Sequence, residues 1–63
     1  MRGSRIMALR VRSGDLVWVQ KEWRQVRCVR DDRFATGTAA VVLIFRRGAP
    51  WRLRAADVVE VRR

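Results

Sequence analysis

Histidine and tyrosine are absent from this chain, and cysteine and proline occur once each. Without histidine, the commonest general base at neutral pH is missing. Cys28 has no second cysteine to pair with, so an intrachain disulfide is excluded. One thiol and no imidazole fall short of the roughly four ligands of a structural zinc site. Glycine is sparse, and Gly37 and Gly48 stand alone as turn glycines, so no glycine-rich phosphate loop is present. No apolar run approaches the ~20 residues of a membrane-spanning helix. Met1–Met7 carries Arg2 and Arg5 without an apolar segment behind them, and no signal peptide is expected. The lone thiol fits a reducing compartment, so a cytoplasmic location is expected. Together these absences point away from an enzyme, and no cofactor or metal is expected.

Acidic residues and lysine are also scarce. Fourteen arginines and Lys21 face four aspartates and two glutamates, a net charge of +9. Such a field favours polyanionic partners: nucleic acid (DNA or RNA), an acidic protein or an anionic membrane surface. The arginine fork pairs bidentately with phosphate, which lysine does not. A high-GC genome raises arginine generally, but it leaves the field in place. The apolar fraction is 49% with three tryptophans, enough to build a core. At 63 residues the chain makes one domain. A domain this small buries only about 60% of its unfolded surface. With no disulfide or metal available, homo-oligomerisation is the remaining extra support.

The longest uninterrupted apolar stretch is Ala39–Phe45, Ala-Ala-Val-Val-Leu-Ile-Phe, closed by Arg46-Arg47. Its length, β-branching and neighbouring glycines predict a buried central strand over Thr38–Arg46. Leu16–Val19 is predicted as the first strand after the Ser13-Gly14-Asp15 turn, and Trp23–Arg30 as the second, with Val26 and Cys28 inward. Asp31–Gly37 reads as the longest break. Its paired acids read as a solvated turn, with cation binding the alternative. After the Arg47–Pro50 turn, Trp51-Arg52-Leu53-Arg54 alternates, with Trp51 and Leu53 inward and both arginines outward. Ala55-Ala56-Asp57 suits a 3₁₀ turn capped by Asp57, and Val58–Val61 closes the chain as the last strand. Residues 1–7 are expected to form a flexible N-terminal arm, with Ala8–Arg12 a lead-in strand. Residues 8–63 are expected to form an all-β, five-stranded barrel.

The order of these features resembles the SH3-like small β-barrels, in particular the Tudor/PWWP group and the C-terminal domains of retroviral integrases. The matching stretches are Gly14–Val19, Trp23–Val29, Val41–Phe45, Trp51–Leu53 and Ala56-Asp57-Val58-Val59. Glu22-Trp23-Arg24-Gln25 stands where PWWP domains carry Pro-Trp-Trp-Pro. The resemblance implies a barrel whose basic outer surface touches nucleic acid, or whose open end holds a ligand among aromatics. In the Tudor/PWWP barrels the positions of Trp23 and Phe45 line a cage for a methylated ammonium, held by cation–π attraction.

Two functional classes follow. In the first, the chain binds nucleic acid without catalysis. Arg46, Arg47, Arg52 and Arg54 gather on one hairpin that contains no acid between residues 46 and 54, and Arg24 and Arg27 assist. In the second, it is a protein-interaction or adaptor module, homo-oligomeric, using an exposed aromatic patch or cage and a sheet edge. Trp51 and Trp18 are expected in the core. Trp23 and Phe45 remain open between core, cage and stacking on an unpaired base. Cys28 reads as a small core residue, with a thiolate activated by its arginine neighbours as the alternative.

Overall fold

The computed structural model describes residues 3–63. Met1 and Arg2, the start of the expected arm, lie outside the described residues. The fold is all-β and antiparallel, with six strands instead of five. They are β1 (Ser4–Met7), β2 (Leu16–Val19), β3 (Glu22–Arg33), β4 (Ala39–Phe45), β5 (Trp51–Arg54) and β6 (Val58–Arg62). They form one sheet in the order β1-β6-β2-β3-β4-β5. The two outer strands do not pair with each other, so the sheet is curled but not closed. It is a small antiparallel β fold compatible with a small barrel.

β3 belongs to both halves of this sheet. Its first residues pair with β2, Trp23 opposite Trp18, and its later ones pair with β4, Val29 opposite Leu43. Between them lies a β-bulge: Val26 pairs with Phe45 and Cys28 with the preceding residue Ile44, which leaves Arg27 as the extra residue. A bulge bends the strand and increases its twist. It also resets which side chains face inward. Val29, not Cys28, follows Val26 onto the core, and Cys28 turns to the outer face opposite Ile44. The expectation of an inward Cys28 fails for this reason.

Across the fold, strand alternation buries Val17 of β2, Val26 of β3, Val41, Leu43 and Phe45 of β4, Leu53 of β5, and Val59 and Val61 of β6. Leu43, Val17, Val26 and Val61 are the largest fully buried side chains. The core is therefore aliphatic with one phenylalanine. Trp51 packs half-buried at its margin as expected, whereas Trp18 is 43% exposed on the outer face.

Other departures have local causes. Ser4–Met7 pairs with β6 as β1, setting Ile6 against Val59. One inward apolar residue is too faint a signal to mark a strand. Ala8–Arg10 is a 3₁₀ turn instead of a lead-in strand. Side chains three apart eclipse in that geometry, and both Ala8 and Val11 are buried. The turn donates Ala8 N to Asp57 O (2.7 Å) and Leu9 N to Ala55 O (3.1 Å), fastening the open side of the sheet. Before β6 the chain makes a plain turn, which Asp57 closes by accepting Arg54 N at 3.0 Å. β3 runs on through Asp31–Arg33, past the expected break, because these residues continue the ladder with Val41, Ala40 and Ala39 of β4, and Asp32 also meets Arg52 across the sheet. The β3–β4 loop is correspondingly short, with Gly37 at φ 88°.

The β2–β3 turn is Gln20-Lys21, with φ of 50° and 66°. A two-residue hairpin turn of this kind needs left-handed backbone at both positions and favours Asn-Gly. Left-handed backbone costs an L-residue on the order of 1–2 kcal/mol. Lys21→Gly is accordingly expected to stabilise the protein by about 1 kcal/mol after its entropy cost. The midpoint of thermal unfolding should rise by about 4–8 °C. A fall in that midpoint would show that the turn carries no such strain.

Candidate functional site

The bend in β3 presents two outer faces with different chemistry. On the first, alternation turns Leu16 and Trp18 of β2, Trp23 and Gln25 of β3, and Arg62 of β6 outward, because their neighbours Val17 and Val61 point inward. β4 has ended by this point, and its last pair is extended only by Arg46 N donating to Gln25 O at 3.0 Å. The β4–β5 turn therefore projects beside β3. Leu16, Trp23, Arg24, Gln25, Arg46 and Arg47 line an open hollow of about 510 Å³ between them.

The six arginines singled out by sequence do not act as one cluster. Arg46 and Arg47 are exposed, and among the described residues neither has an ion-pair partner. Arg24 is inward-facing, with its side chain only 18% exposed. It donates through Nη2 to Gln20 Oε1 and Glu22 Oε2, both at 3.1 Å. It also fills the space over Gly48, where an added Cβ would collide with its guanidinium. Gly48 sits at φ 88°, left-handed backbone that favours glycine, whereas the guanidinium could swing aside.

Arg52 and Arg54 lie on the second outer face, opposite Val42 and Ala40 respectively. Arg52 opposes the fourth residue before Arg46, about 13 Å along the strand. Arg52 is engaged within the fold. Its Nε lies 2.9 Å from Asp32 Oδ2, its Nη2 donates to Arg33 O at 2.8 Å, and its guanidinium lies 4.7 Å from the Phe34 ring centroid. Arg54 makes a loose pair with Asp57 at 3.9 Å. Arg27 is exposed on the bulge, and its carbonyl accepts from Ser13 Oγ at 2.8 Å.

The aromatic pair proposed as a cage is split by the sheet. Phe45 is 4% exposed and faces the core, whereas Trp23 faces out. Their strand positions alternate to opposite sides, so they do not enclose a common ligand. Trp23 instead has Arg62 over its ring at 4.4 Å and meets Trp18 edge-on, with centroids 5.2 Å apart. Trp18 was assigned to the core by sequence reasoning. Strict alternation against Val17 and Val19 would have placed it outside. Among the described residues no cluster of three His, Cys, Asp or Glu side chains could hold a metal ion. No helix is long and apolar enough to cross a membrane among them.

No protein-family model, curated protein or solved structure matches the chain.

The different surroundings of Arg24 and Arg46 predict different consequences of losing each. Arg24→Ala removes two hydrogen bonds and the stem that covers the β4–β5 turn, and should destabilise the fold by about 1–2 kcal/mol. Arg46→Ala should change stability by no more than about 0.5 kcal/mol. Urea denaturation of both variants checks this ranking. Equal losses would mean that Arg46 is also a structural residue.

Proposed function

We propose that this chain is a non-catalytic nucleic-acid-binding module of the SH3-like small-barrel type, with Arg46 and Arg47 as its principal phosphate contacts. The observation that carries the reading is the exposed arginine pair, without ion-pair partners among the described residues, on the rim of an open hollow beside an outward indole. The acids nearby are already matched: Glu22 pairs with Arg24 at 3.1 Å, and Glu60 lies 4.0 Å from Arg5. The net charge of +9 draws a polyanion toward the surface from any direction. Two adjacent forks at a turn then give it a place to settle. Arg27 and Arg54 extend the contact, while Arg24 and Arg52 serve mainly to shape the surface.

Phosphate binding releases counterions, so affinity should fall steeply as salt rises. Arg46→Ala with Arg47→Ala should weaken binding to a short DNA or RNA and reduce the slope of log K against log salt by about two. Arg52→Ala with Arg54→Ala should weaken it less, because Arg52 is held by Asp32. Fluorescence anisotropy at several salt concentrations measures both effects. Binding that ignores salt, or an undiminished slope in the Arg46/Arg47 variant, would refute the proposal.

One observation favours a second reading, a protein-interaction module. Met7 and Val58 sit directly opposite each other on the outer face of β1 and β6, at 36% and 61% exposure. This apolar pair suits a second copy of the chain or an acidic protein. Sedimentation over a concentration series separates the two readings. Self-association lost on Val58→Lys while nucleic-acid affinity is unchanged would support oligomerisation as a separate property.

A further inference from the structure

Among the described residues, the ring contact given for Trp18 is the edge of Trp23. It is 43% exposed on a four-residue strand whose core contacts come from Val17 and Val19. Its neighbour Trp23 is covered on its ring by Arg62 and approached at its edge by Gly3, where an added Cβ would lie 3.1 Å from Trp23. Trp18 stands at 62° to Trp23, so the two rings do not lie flat on one another. The outcome is one accessible indole, held in orientation by a second that is itself packed. From Trp18, the row through Trp23 and Gln25 leads to Arg46. The two ends lie two strand spacings apart across the sheet and two residues apart along it, roughly 12 Å in all.

We infer that the nucleic acid taken by this face is single-stranded, with a base stacked on Trp18 and neighbouring phosphates on Arg46 and Arg47. The inference rests on the phosphate-binding reading above and adds strandedness to it. A duplex keeps its bases stacked on each other and offers this face only phosphates. An unpaired strand offers π-faces as well, and aromatic stacking tolerates any base. Charge complementarity favours nucleic acid over a peptide, since the hollow is lined by Arg24, Arg46 and Arg47 and its one acid, Glu22, is paired with Arg24. The hollow, at about 510 Å³, is within the range of small-ligand sites.

The test uses the full chain with fluorescein-labelled oligothymidylate of about 12 nucleotides, a duplex of the same length, and polyglutamate as a non-nucleic polyanion. Anisotropy at fixed salt should show the single strand bound about tenfold or more tighter than the duplex. Trp18→Ala should remove most of that preference and leave duplex affinity and the salt slope in place, while Trp18→Phe should keep much of it. Circular dichroism checks that each variant is folded. Should Trp18→Ala fail to fold, Trp18→Leu, which retains apolar bulk without a ring, takes its place. Equal affinity for single strand and duplex, with no effect of Trp18 variants, overturns this inference and leaves phosphate binding standing. Affinity for polyglutamate matching that for oligothymidylate overturns it in favour of an acidic protein. No binding to either nucleic acid defeats the underlying reading as well.

Discussion

The fold depends on a single irregularity, the bulge that lets β3 serve two half-sheets. Twelve residues of continuous strand would otherwise extend flat and leave each half with an uncovered apolar face. At Val26 the backbone is fastened from outside the β3–β4 ladder: Gly14 N donates to Val26 O and Asp15 O accepts from Val26 N, both at 2.8 Å. The side chain of Asp15 is 9% exposed, accepts from Arg12 N at 2.9 Å, and accepts from Arg63 Nε at 3.2 Å. A buried carboxylate with those donors is satisfied and fixes the turn against the bend. The bend then brings Val17 and Val61 of one half against Leu43 and Phe45 of the other.

The same bend builds the candidate site. β4 stops where β3 turns away, so the β4–β5 turn leaves the ladder and carries Arg46 and Arg47 into solvent beside β3. Arg24 lies under that turn and holds it through packing at Gly48. Its guanidinium lies 6.0 Å from the Phe45 ring, which links the turn to the core. An arginine that looks like a ligand contact in sequence thus acts by positioning its exposed neighbours. Arg52 is a parallel case: its guanidinium is engaged by Asp32, Arg33 O and the Phe34 ring.

Much of this architecture was legible in the residues. β4 ends where Arg46-Arg47 interrupts a β-branched run, and the Trp51–Arg54 alternation placed Trp51 and Leu53 inward as found. The bulge was not legible, because its extra residue is an arginine and not a glycine, and nothing in composition marks it. One undetected residue inverted the assignment of Cys28 and Val29. The Ala8–Arg10 turn was missed because its signal, Ala8 and Val11 three apart, is shared with many loops. Asp31–Arg33 read as a break because charge was weighed without its cross-sheet partner. For the site, sequence named six arginines together, and it gives no means of seeing that Arg24 and Arg52 are engaged within the fold while Arg46 and Arg47 are exposed. The position of Trp18 was within reach, since a hairpin turn centred on Gln20-Lys21 sets Trp18 opposite Trp23 and outside.

The core contains no fully buried tryptophan although the chain has three. Buried indoles each cover on the order of 150–250 Å², and the aliphatic set from β2, β4 and β6 already fills the narrow interior. Tryptophan is therefore left at margins and on the outer face. Trp51 meets the core at its edge and Trp23 packs under Arg62, so both gain contacts where they stand. Among the described residues Trp18 gains the edge of Trp23, and a valine or threonine would also suit β2. An indole left at the surface by the fold, near two guanidinium groups without ion-pair partners among the described residues, is what the proposed single-strand binding would use.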